Sequence, residues 1–133
     1  MSNAVIRSSN RSAFVGIVTL LAAVVAASVV LVAQSKRDFS VAAERYSYDV
    51  SGSDNSTIRV RQDDIVRITF SAEDIPHSFT IDGYRISKRV EPGKPVVFEF
   101  RADKVGTVEF YCSLTNDGRC RRETRGRLIV TPR

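Results

Sequence analysis

At 133 residues the chain holds one domain of ordinary size plus an appendage. Its net charge of +5 is uneven: Arg7, Arg11, Lys36 and Arg37 precede every acid, so the rest of the chain is nearly neutral. No basic face is interleaved with aromatics and no zinc-ligand spacing occurs, so no nucleic-acid partner is expected. The two cysteines allow one disulfide at most.

Residues 1–12 form a short polar tail, expected in the cytoplasm. Ala13 to Ala33, AFVGIVTLLAAVVAASVVLVA, carries no charge. At about 1.5 Å per residue it reaches roughly 31 Å, the thickness of a bilayer core. It is longer than the apolar run of a cleaved signal peptide and lacks a clean small-x-small exit, so a retained transmembrane helix is expected over 13–33. The flanking charges favour the N-terminus inside and the following domain outside the cytoplasmic membrane, periplasmic or extracellular. Thr19, Ala23 and Ala27 recur every four residues. They either line a helix–helix contact or simply belong to an Ala/Val-rich anchor facing lipid.

Residues 34–38 read as a linker, and residues 39–133 as the extracytoplasmic domain. Apolar residues then alternate with polar ones: Tyr46, Tyr48, Val50; Ile58, Val60; Val66, Ile68, Phe70; Phe79, Ile81; Val96, Phe98, Phe100; Val108, Phe110, Cys112. Turns fall at Ser51–Ser56, Gln62–Asp64, Asp82-Gly83, Glu91–Lys94 and Asp103–Gly106. This pattern predicts half-buried strands in an all-β sandwich, and no stretch has helical periodicity. From Cys112 to Val130 a polar loop containing Cys120 leads to a last strand.

From Val60 onward the ordered set VRQDDIVRITF, DIPHSFTI, VEPGKPVVFEFRADKVGTVEFYCSL and GRLIV resembles the cupredoxin family. It is most similar to the copper domain of cytochrome c oxidase subunit II. The resemblance implies a cupredoxin-like Greek-key β-sandwich outside the membrane. At the metal site the pattern departs. The binuclear loop Cys-x3-Cys-x3-His-x2-Met, started at Cys112, places Asn116, Cys120 and Glu123. The mononuclear loop Cys-x2-His-x4-Met places Thr115 and Cys120. Only His77 and Cys112 match ligand positions. With one His, and its one Met ahead of the membrane segment, the chain alone builds neither site.

The resemblance leaves three states open for Cys112 and Cys120: a disulfide across the former metal loop, a soft-metal site with His77 holding copper or zinc, or free thiols. The disulfide is favoured, because both ends of this loop converge on one metal in the family. His77 is expected to hydrogen-bond a loop carbonyl. Arg119, Arg121, Arg122, Arg125 and Arg127 surround Glu123 and read either as a solvated loop or as a docking patch for an acidic protein surface or lipid headgroups. A basic cytochrome c would be repelled there. No nucleophile–base pair is present, so no catalysis is expected. The function expected is a membrane-anchored accessory subunit of a respiratory or photosynthetic electron-transport complex, without a cofactor. The alternative is a copper carrier or copper-handling protein using His77, Cys112 and Cys120.

Overall fold

The computed structural model describes Ser28 and residues 34–133. Apart from Ser28, the expected membrane segment 13–33, with Thr19, Ala23 and Ala27, lies outside the described residues. Among those described, no helix is long and apolar enough to cross a membrane.

Residues 34–133 form one compact unit built of nine strands: β1 Lys36–Glu44, β2 Ser47–Val50, β3 Thr57–Arg61, β4 Ile65–Ala72, β5 His77–Ile81, β6 Ile86–Val90, β7 Val96–Arg101, β8 Gly106–Tyr111 and β9 Arg125–Thr131. One helical turn and a half, α1 Gly118–Glu123, precedes β9. β1 opens inside the stretch expected as a linker, because Lys36, Arg37 and Asp38 pair in parallel register with Ile65, Val66 and Arg67. The helix corrects the expectation of a wholly irregular loop. Asp117 caps it, accepting from the N–H groups of Arg119 and Cys120, and Glu123 pairs with Arg119 one turn back. Those two features were readable, but six residues are too few to show periodicity.

The strands make two sheets, β2-β1-β4-β7 and β3-β9-β8-β5-β6. β1–β4 and β3–β9 run parallel, and the other pairs run antiparallel. The alternation seen in sequence sorts the faces. Val66, Ile68 and Phe70 are buried while Arg67 and Thr69 are exposed, as a period-two strand requires. The buried faces meet around Phe79, whose ring packs against Tyr48, Phe70, Phe98 and Phe110. Its contact with Phe110 is stacked, with centroids 4.6 Å apart. Such pairs contribute about 0.5–1.5 kcal/mol beyond area burial.

This core places the site. His77 is two residues before Phe79 on β5, and Cys112 is two residues after Phe110 beyond β8. Side chains two apart share a face, so stacking Phe79 on Phe110 sets His77 and Cys112 side by side as the next inward layer. That layer lies at the pole where β1 and β4 end. The chain enters the domain at the opposite pole, where Ser35 donates to the buried carboxylate of Asp64, which also accepts from Arg133 at 3.1 Å.

Candidate functional site

Cys112 and Cys120 are joined in a disulfide, with Cα atoms 5.5 Å apart. Both residues are fully buried. Of the three states open from the sequence, the disulfide is the one found. α1 carries Cys120 inward, since its N–H donates to Asp117 and its carbonyl accepts from Thr124 N–H. Cys112 N–H in turn donates to Thr124 carbonyl at 3.2 Å, tying the two ends of the loop together beneath the sulfur bridge.

His77 is buried beside the bridge. Its Nδ1 lies 3.4 Å from Cys120 Sγ, and its Nε2 lies 3.3 Å from Asp74 Oδ1. The partner is thus a carboxylate rather than the expected loop carbonyl. Burial raises the Asp74 carboxyl, but the N–H groups of Arg45 and Ile75 and the His77 ring outweigh it and hold the group below its ordinary value. An ionised carboxylate only accepts, so Nε2 bears a proton and Nδ1 faces the sulfur. Asp74 is the residue sequence reasoning missed. It opens the DIPHSFTI stretch that carries the resemblance, three residues before His77, but was not among the candidate site residues.

Past Cys112, Ser113 N–H donates to Ser78 Oγ at 2.6 Å, and the Ser113 hydroxyl lies 2.7 Å from that of Thr80. These bonds fasten the start of the loop to β5.

The ligand atoms of His77, Cys112 and Cys120 lie within 4.8 Å of one another, a group that could hold a metal. As bonded it does not fit one: thiolates are the soft ligands of such sites, and both sulfurs are spent on each other. The single histidine supplies no second imidazole. The copper that the fold commonly carries therefore has no adequate donor set in the oxidised chain.

The five arginines divide. Arg119 is held by Glu123 through two contacts of 3.1 Å and lies over the Tyr46 ring. Arg125 pairs with Glu109 at 2.9 Å and also donates to the carbonyls of Arg121 and Arg122. Arg121, Arg122 and Arg127 are exposed and have no acidic partner among the described residues. Arg121, Arg122 and Arg125, with Tyr111, Cys112 and Gly118, line an open cleft of about 340 Å³.

Solved structures share this architecture. One is a heme-copper terminal oxidase dimer (14% identity, 88% of each chain, TM-score 0.65). A second is the periplasmic domain of cytochrome oxidase subunit II, CoxB, of Bradyrhizobium japonicum (14% identity, 77% of this chain and 88% of that one, TM-score 0.62). A third is rusticyanin from Thiobacillus ferrooxidans (19% identity, 74% and 79%, TM-score 0.60). At these identities the likeness is one of fold. Comparison with curated proteins gives no match. The model of the cupredoxin-like domain matches residues 16–130, and the chain belongs to that family.

Proposed function

We propose that this chain is a non-catalytic, membrane-anchored cupredoxin-like subunit of a respiratory or photosynthetic electron-transport complex, with its domain outside the cytoplasmic membrane. The observation that carries this reading is the buried Cys112–Cys120 bridge. It closes the loop that a metal closes in copper-bearing members, and it leaves His77 hydrogen-bonded to Asp74. A domain crosslinked in this way keeps the shape of an electron-transfer module without its redox centre, and acts by contact. The fold likeness to an oxidase and to an oxidase subunit supports an assembly of that class. The apolar run 13–33 supports anchorage, and Arg121 and Arg122, without an acidic partner among the described residues, support docking on acidic protein and disfavour a basic cytochrome c. Gentle detergent extraction followed by identification of co-purifying proteins tests it. Electron-transport subunits in fixed ratio to the chain are expected, and a chain that elutes alone at every detergent level contradicts the reading.

A second reading is favoured by the clustering of the three donor atoms. Reduced, the chain would offer two thiolates and one imidazole, a set suited to copper(I) or zinc, and would act in copper handling. Anaerobic titration of the reduced chain with copper(I) tests it. One tightly held copper per chain, lost in Cys120→Ala, supports it.

A further inference from the structure

The two outer faces of the sandwich are electrostatically unlike. On the β2-β1-β4-β7 sheet, charges of opposite sign sit directly across the strands. Asp38 is opposite Arg67 and Arg67 opposite Glu99, while Lys36 pairs with Glu99 at 2.8 Å. That face is self-compensated. On the other sheet, β3 presents Arg59 and Arg61 and β9 presents Arg125 and Arg127, all exposed, with Ile58, Val60, Gly126 and Leu128 buried beside them. Their cross-strand partners are largely uncharged: Arg59 faces Ile129, Arg61 faces Thr131, and Arg127 faces Thr57. The one acid opposite Arg127, Glu109, is drawn to Arg125 instead. Arg121 and Arg122 of α1 continue the row at its end.

We propose that the outer face of β3 and β9, continued by α1, is a docking surface for an acidic protein. It rests on the reading of the domain as one that acts by contact, and extends it from the loop to a whole sheet face. Three features fit a protein partner. Every cation in the row is arginine, whose planar fork matches carboxylates and which is favoured over lysine at protein interfaces. The row stands on paired strands, so its spacing is set before binding, and less ordering is lost on contact. Alternate residues on a strand stand roughly 7 Å apart, so Arg59 and Arg61, like Arg125 and Arg127, rise from the sheet at a spacing close to that of carboxylates one turn apart on a helix, about 6 Å, and Arg59 and Arg127 lie diagonally across the strand pair.

The test uses the full chain in nanodiscs of neutral lipid, free of detergent, so that added vesicles stay intact. The probes are a labelled helical peptide with Glu at every fourth position and vesicles containing phosphatidylglycerol. The peptide should bind at low ionic strength and weaken with added salt. Arg59→Glu with Arg127→Glu should weaken it about tenfold. Arg67→Glu with Arg101→Glu on the other face changes net charge equally and should leave it within about twofold. Equal loss in both pairs, or binding to the vesicles but not to the peptide, overturns the proposal. Co-purification from membranes separates it from the wider reading. If the peptide binds face-specifically but no electron-transport subunit accompanies the chain, the docking face stands and the assembly falls. If subunits accompany the Arg59→Glu, Arg127→Glu chain as fully as the unaltered one, the assembly stands and this face is not its contact.

Discussion

Cys120 Sγ lies 3.4 Å from His77 Nδ1, joining residues 43 apart in the chain. In a metal-bearing site of this fold a histidine and a cysteine approach one another because both bind the ion. Here the approach persists while Cys120 is bonded to Cys112 and His77 to Asp74. Each of these three residues has a partner inside the protein, so the pole is closed by covalent and hydrogen bonds.

The bridge should be a substantial part of the domain's stability. Closing a loop of sequence separation 8 restricts the unfolded chain by about 2–3 kcal/mol. Cys112→Ala with Cys120→Ala should lower the unfolding free energy by about that much, read from denaturant midpoints. Because both sulfurs are buried, a thiol reductant should leave the native bridge intact and cleave it only near the unfolding transition. Equal midpoints for the two proteins would show that the bridge constrains nothing.

Gly126 should be intolerant of a side chain. A Cβ there would lie 2.2 Å from two atoms of the Phe110 ring and 2.7 Å from the Ser56 carbonyl. Phe110 is fully buried in the aromatic core and cannot swing away. Gly126→Ala should therefore cost about 3 kcal/mol, measured by thermal or denaturant unfolding. A loss below about 1 kcal/mol would mean that Phe110 repacks freely.

The strands were legible because Val66, Ile68, Phe70 and their counterparts alternate with period two, and a buried face needs no more than that. His77, Cys112 and Cys120 were legible as a group through the family pattern, which also favoured the disulfide; the way α1 turns Cys120 inward to form it was not legible. α1 itself escaped notice because it is capped by one aspartate and spans fewer than two turns. The pairing of Arg125 was hidden for another reason. Arg119 and Glu123 pair locally within α1, but the neutralisation of Arg125 depends on strand register, and Glu109 lies 16 residues from it. The basic face on β3 and β9 was invisible for the same cause, since Arg59 and Arg127 become neighbours only through a parallel pairing of distant segments.

Acid should weaken the pole where the chain enters the domain. Burial raises the Asp64 carboxyl, but hydrogen bonds from Ser35, the Arg61 N–H and Arg133 prevail and hold it below its ordinary value. A carboxyl lowered in the folded state contributes stability that is fully present above its unfolded value, about 3.9, and is lost as pH falls through the folded value. Asp64→Asn should be less stable than the parent at neutral pH. The gap should hold down to about pH 4 and narrow below it. A gap independent of pH would show that Asp64 acts through packing alone.

Whether the Cys112–Cys120 bond stands where a metal would can be read from one sample of the chain, purified without reductant. The sample is unfolded, treated with an alkylating reagent and weighed by mass spectrometry, and its copper is quantified before unfolding. No alkyl group added, a mass two hydrogens below that of the reduced chain, and no stoichiometric copper are expected. Two alkyl groups per chain together with one copper per chain would contradict this.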